Sequence, residues 1–257
     1  MKILRFKQKD GTPLYGIKDK DKIIPIKGLP YVEHIEFLNE KTIPYASSIL
    51  IAPCVPTKII ALAINFPGAT GHTKDMSEPL VFLKASNCIA SCNDKVRIAF
   101  SSETWGESEL GVVIKKKAKN IKPINVKDYI LGYIPVNDVS CENVDDRDHH
   151  LARSKSADGY LPIGPWIDTD YDYNNKVIEA YHNDSLIRQG MINDMFWKPE
   201  KILPWLSSWM TLYPGDIIST GAPVRTRDRL YLKDGDIFTV KIEGLPELST
   251  FFYEKKI

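Results

Sequence analysis

The feature that most constrains this chain is a succession of short runs rich in β-branched and aromatic residues, most of them closed by Gly, Pro, Asn or Asp. Runs at residues 110–115, 129–139, 177–182, 216–220 and 237–243 have the length and composition of strands. Against them stands one good helix candidate. It opens at Pro199 and carries Ile202, Leu203, Leu206, Trp209 and Met210 at helical spacing, with Pro204 inside or ending its first turn. Many strands and few helices predict a mainly β protein with some α, an α+β fold. Residues 2–7, 14–18 and 22–26 repeat the strand–turn pattern on a smaller scale. The predicted organisation is therefore a small β-rich N-terminal domain over residues 1–52 and a larger domain over 53–257. The apolar run 58–64, ended by Asn65-Phe66-Pro67-Gly68, reads as a buried strand near the start of the larger domain.

In 257 residues, 34 Lys and Arg face 33 Asp and Glu, a net charge of +1. No bulk electrostatic excess selects nucleic acid or an anionic membrane, so the expected partner is a small molecule chosen locally. No apolar stretch reaches the roughly 18 residues of a membrane span, and charge interrupts Met1-Lys2-Ile3-Leu4-Arg5, so neither a span nor a signal peptide is expected. Cys54, Cys88, Cys92 and Cys141 lack zinc-ribbon spacing, and reduced thiols in a cytoplasmic protein are the expectation. Lys115-Lys116-Lys117 reads as a solvated hairpin end and His149-His150 as exposed loop residues. Asp168, Asp170, Asp172 and Glu179 have calcium-loop spacing, but Tyr173 stands where that loop needs glycine, which leaves an acidic surface turn.

Three segments carry chemistry. In Trp105-Gly106-Glu107-Ser108-Glu109-Leu110 the two glutamates are two residues apart and share one face of a strand, either as a hydrated edge or as part of a site. Asp138 ends an apolar strand in Val136-Asn137-Asp138-Val139 with no local cation, as a turn residue or a ligand. Lys155 lies in a polar loop before Pro162-Ile163-Gly164-Pro165-Trp166. Taken together, three carboxylates without histidine or thiolate form a hard, all-oxygen donor set suited to Mg2+ or Mn2+ and poor for structural zinc. A 2-oxo acid or enolised 1,3-dicarbonyl could chelate such an ion, with Lys155 as a cationic donor beside its oxygen.

These segments fall in an order that resembles the fumarylacetoacetate hydrolase superfamily. The series runs from an N-terminal β unit through Asn65-Phe66, Glu78-Pro79 with Phe82 and Lys84, Glu107-Ser108-Glu109 and Asn137-Asp138-Val139-Ser140. It continues with Lys155-Ser156, Pro162-Ile163-Gly164-Pro165-Trp166 and Thr220-Gly221-Ala222-Pro223. The resemblance implies a rolled mixed β-sheet catalytic domain, usually in a homodimer, acting on acylpyruvates and related 2-oxo acids. It implies that Glu107, Glu109 and Asp138 bind the divalent metal, that Lys155 stabilises a substrate oxyanion, and that Asn65, Thr220 and Gly221 contact substrate.

The match departs in two places. Members that hydrolyse carbon–carbon bonds carry Asn-Tyr-x-x-His-x-x-Glu; here Ala69 stands in place of that histidine, while His72 and Asp75 repeat the His-x-x-acid spacing three residues on. On a helical turn Asp75 would orient His72 as a general base; otherwise His72 is a solvated loop residue. Relatives also read Ser-Ala-Arg-Asp where this chain has Ser140-Cys141-Glu142-Asn143, so an acid replaces a carboxylate-binding arginine unless Arg147, Arg153 or another cation compensates. The expected function is a divalent-metal-dependent enzyme for an enolisable 2-oxo acid or 1,3-dicarbonyl. Hydrolytic carbon–carbon cleavage by His72 and Asp75 leads. An isomerase, tautomerase or decarboxylase is the alternative, and a non-catalytic metabolite-binding relative a further one.

Overall fold

The computed structural model describes residues 1–32, 34–38, 42–69 and 77–254. Among these, eleven strands share one sheet. Its order runs Ile43–Pro44, Lys22–Pro25, Pro13–Asp19, Lys2–Lys7, Trp166–Asp168, Ile130–Asn137, Ser108–Ile114, Ile217–Ser219, Ile59–Ala63 and Leu80–Lys84, with Ile49–Ile51 also paired to Lys2–Lys7. Neighbours are antiparallel except Ile217–Ser219, which runs parallel to Ile59–Ala63. A second sheet runs Ser185–Met191, Val177–His182, Ile237–Ile242, Leu248–Tyr253 and Lys95–Arg97. The architecture is mainly β with few helices, as the strand-dense sequence predicts. Strands from residues 1–52 join the same sheet as those after residue 58, through Lys2–Lys7 against Trp166–Asp168.

The strand Ser108–Ile114 is buried along its whole length because both faces are covered. Val112 and Ile114 pack with Ile60, Leu62 and Ile218 against the helix Pro199–Trp209, whose Ile202, Leu203 and Leu206 are fully buried. Each such side chain contributes about 1.5–3 kcal/mol of burial. Val113 belongs to the other core, shared with Ile178, Phe238 and Val240 of the second sheet. The hydrated-edge alternative for Glu107 and Glu109 is thereby settled against: Glu109 enters the fold inside a two-sided core.

The helix tolerates Pro204 in its interior at a half-buried position. The Ser207 and Ser208 hydroxyls bond back to the carbonyls of Pro204 (3.1 Å) and Trp205 (2.7 Å). The predicted run 216–220 narrows to Ile217–Ser219 because Asp216 is used elsewhere. Its Oδ1 accepts the N–H groups of Thr57 (3.0 Å) and Lys58 (3.1 Å) and so ties down the start of the neighbouring Ile59–Ala63 strand. All four cysteines are free, and among the described residues no helix is long and apolar enough to cross a membrane.

Candidate active site

Antiparallel register assembles the carboxylates. Ser108 pairs with Asn137, so residues that open one strand meet those that close its neighbour, and the Asp138 N–H donates to the Glu107 carbonyl at 2.9 Å. One carboxylate oxygen from each of Glu107, Glu109 and Asp138 then lies within 4.8 Å of the others. Gly111 pairs with Ser219 on the other side, which brings the end of Ile217–Ser219 to Glu109. There Glu109 Oε2 accepts from the Ser219 hydroxyl (2.6 Å) and the Gly221 N–H (2.8 Å). Gly221 has φ +86° and leaves only 3.0 Å between a would-be Cβ and Asn65 Cβ, so this turn requires glycine.

Cations surround the cluster. Lys84, buried at the end of its strand, donates to Asp138 Oδ1 and to the Val139 carbonyl (2.9 Å). Lys155 donates to Asp138 Oδ2 at 2.8 Å and to the Ser140 hydroxyl, stands 3.7 Å from Glu107 Oε2, and lies over the Phe82 ring. Arg188 donates to Glu107 Oε1 (2.6 Å) and to the Pro223 carbonyl (2.5 Å). Lys155 sits on a short helix, Ala152–Ser156, where a loop was expected. The reason is Asp148, whose carboxylate accepts the N–H groups of Arg153 (3.1 Å) and Ser154 (2.6 Å) and fixes the helix start.

The electrostatics separate the three acids. Burial first, then the Asp138 and Glu107 carboxylates, push the Glu109 carboxyl up to about 8. Burial also acts to raise Asp138, but Lys155 and Lys84 outweigh it and hold this carboxyl below its ordinary value. Burial opposes charge on Lys155, yet Asp138 and Glu107 overcome it and raise the ammonium. Lys155 is therefore held as an ammonium, a cationic hydrogen-bond donor at the cluster. An all-oxygen set containing one carboxyl that is costly to ionise fits a hard dication, which would relieve the repulsion felt by Glu109.

A cleft of about 820 Å3 opens on this cluster, lined by all three acids, Lys155 and Arg188, with apolar surface from Phe82 and Trp105 among others. Other expected site residues stand behind it. Asn65 is buried, accepts the Trp197 N–H (2.8 Å) and donates to the Thr220 carbonyl (2.7 Å); the Thr220 hydroxyl donates to the Leu110 carbonyl (2.8 Å). Their polar groups are committed to the backbone that frames Glu109. His72 and Asp75 lie outside the described residues, while Ala69 lines the cleft.

Sequence reasoning did not assign Lys84 or Arg188 to this cluster. Each carries a weak signal, a cation closing or interrupting an apolar strand, but their acids lie 54 and 81 residues away. It also left open what answers Glu142. Arg153 does not: it is held by Asp145 (3.2 Å) and the Val144 carbonyl (2.8 Å). Arg229 does, donating to Glu142 Oε1 at 3.0 Å while stacked 3.9 Å above the Trp105 ring centroid.

Residues 58–252 match the model of the fumarylacetoacetate (FAA) hydrolase C-terminal family. An uncharacterized protein of Methanocaldococcus jannaschii is 35% identical over 225 residues, covering 85% of this chain and 92% of the relative. A mitochondrial oxaloacetate tautomerase of Xenopus laevis is 31% identical over 233 residues, covering 82% of this chain and 70% of that protein. Among solved structures, the 5-carboxymethyl-2-hydroxymuconate delta-isomerase of Mycobacterium smegmatis superposes with a TM-score of 0.87 at 26% identity, over 99% of this chain and 100% of the other. With a family match over most of its length, the chain belongs to the fumarylacetoacetate hydrolase superfamily, an enzyme family of hydrolases, isomerases and tautomerases.

Proposed function

We propose that this chain catalyses a divalent-metal-dependent isomerisation or tautomerisation of an enolisable 2-oxo acid. The observation that carries the reading is the convergence of Glu107, Glu109 and Asp138 at the cleft with a charged Lys155 beside them. Glu107, Glu109 and Asp138 would hold Mg2+ or Mn2+. When bound, the ion supplies Lewis-acid polarisation of a carbonyl and stabilises charge that builds as an adjacent proton leaves. Lys155 presents a protonated amine to the substrate's oxygen, and its place over Phe82 keeps one side of that amine away from water. Arg188 and the Ser219–Gly221 turn orient Glu107 and Glu109. Asn65, Thr220 and Gly221 act by framing this turn. The tautomerase relative supports proton transfer as the reaction, and so does Ala69, which lines the cleft at the position of the hydrolytic histidine.

Hydrolytic carbon–carbon cleavage is the second reading, supported by the shifted His72 and Asp75 spacing in the sequence. The test is a turnover screen of oxaloacetate, acylpyruvates and unsaturated 2-oxo acids with Mg2+ or Mn2+, repeated after chelation, with Glu109→Ala and with His72→Ala. Activity indifferent to metal and to Glu109 overturns the proposal. Cleavage products that vanish in His72→Ala replace proton transfer with hydrolysis. The same reading carries residues 1–52 as a small N-terminal unit and a homodimer in the cytoplasm, the dimer being testable by light scattering.

A further inference from the structure

The reaction proposed above leaves one wall of the cleft unused. Arg225, Arg227 and Arg229 line it on a single short segment, beside Arg188. Arg188 is tied to Glu107 and Arg229 to Glu142, but Arg225 and Arg227 have no side-chain hydrogen bond or ion pair among the described residues, and both are exposed. Four guanidinium groups on one cleft repel one another. Arg225 and Arg229 both act against the charge on Arg188, after burial, the larger influence. Asp228, the acid on the same segment, makes no ion pair among the described residues.

Two donors at this wall are also unsatisfied. Arg229 Nε and Trp105 Nε1 are shielded from water and have no acceptor in the structure. A shielded donor without an acceptor costs about 1–3 kcal/mol, and a bound ion is one of the ordinary explanations for it. Arg229 lies between the Glu142 carboxylate and the Trp105 ring, and its Nη2 carries no hydrogen bond among the described residues. A guanidinium braced on two sides has less rotamer entropy to lose when a planar oxyanion binds.

We propose that Arg225, Arg227 and Arg229 form the subsite for a carboxylate at the far end of the substrate, so that this chain selects 2-oxo acids with a second carboxylate over those with a neutral end. Glu142 belongs to the same device. An acid at that position would by itself repel the distal carboxylate, and its pairing with Arg229 turns it into the support of the recognising cation.

The inference rests on the 2-oxo acid reading of the cleft, so its test reads binding without turnover. The probes are 2-oxoglutarate and 2-oxopentanoate, which share chain length and differ in the terminal carboxylate. Calorimetric titrations with Mn2+ present, in about 0.3 M salt to screen the general field of the protein, give the ratio of the two Kd values. The native chain is expected to prefer the diacid by about tenfold or more, and R225Q/R227Q to reduce the preference to about twofold, with the monoacid Kd moving less than about threefold. A native ratio near one, or a ratio unaltered in the variant, overturns the subsite. Absence of turnover in the activity screen overturns the reaction assigned above and leaves this ratio readable.

Discussion

Arg188 and Glu107 are joined by a 2.6 Å hydrogen bond between side chains that are both largely withdrawn from water, 8% and 20% exposed. The pair stands at the lip of the carboxylate cluster, and Arg188 also holds the Pro223 carbonyl. It thereby connects a metal-type acid to the start of the arginine-bearing segment. The second sheet contributes this contact, since Arg188 lies on Ser185–Met191 while Glu107 precedes Ser108–Ile114.

Replacing the arginine should show what it balances. Arg188→Ala leaves Glu107 without its guanidinium, and the metal-free protein is expected to lose about 2–4 kcal/mol of stability. Mn2+ should recover much of that loss by supplying the missing positive charge. Thermal melts of both proteins with and without Mn2+ check this; an equal deficit in both conditions contradicts it.

The raised carboxyl of Glu109 makes the metal-free protein sensitive to alkali. Its folded value, about 8, lies above its ordinary 4.5, so its contribution to stability is present below 4.5 and is lost as pH rises towards 8. A dication competes with that proton and binds better as pH rises. The Tm gain on adding Mg2+ or Mn2+ is therefore expected to grow between pH 5 and pH 8, by about 4 °C or more. Melts with chelator and with metal across this range measure it, and a pH-independent gain would count against it.

Asp148 has the opposite sign. Burial acts to raise its carboxyl, but the Ser154 hydroxyl and the N–H groups of Ser154, Arg153 and Ala152 outweigh it and hold it low. Its contribution is present above the ordinary 3.8 and is lost as pH falls through the folded value. Asp148→Asn should cost about 1–2 kcal/mol at pH 7 by loosening the start of the Lys155 helix. Urea melts at pH 7 and at a series of pH values below 3.8 are the check: the two proteins should differ at pH 7, and the difference should shrink as pH falls.

Gly106 sets the approach of Glu107. A Cβ at this residue would lie 2.7 Å from the Phe238 ring and 2.8 Å from Asn137 Oδ1, the atom that accepts the Glu107 N–H at 3.2 Å. Gly106→Ala is expected to cost about 1–3 kcal/mol through overpacking and to weaken Mn2+ binding as Glu107 shifts. Metal titration of the folded variant reads the second effect; a native metal affinity would show that Glu107 does not need this contact.

Each of the three carboxylates has an ordinary local reading, and the set was legible only when the segments were taken together; the structure brings one oxygen from each within 4.8 Å of the others. Glu107 and Glu109 precede an apolar run on one strand face, and Asp138 ends another without a nearby cation. Lys155 was legible by its place in an ordered series, though its helix was not, since the helix depends on Asp148 reaching back across a loop. Lys84 stood in the same series without a role; its contact with Asp138, the place of Arg188 and the pairing of Glu142 with Arg229 were hidden for the same reason, since each joins segments from different strands or loops.

Strand-forming runs and turn residues determined by themselves that this chain is mainly β, because strand composition and turn placement are set within a few residues, and they put Glu107, Glu109 and Asp138 at the ends of apolar strands. Only the tertiary structure decided how those acids are balanced. Charge neutralisation acts through space at 2.5–4 Å, and which cation arrives at that distance is set by sheet register and by the packing of one sheet on another.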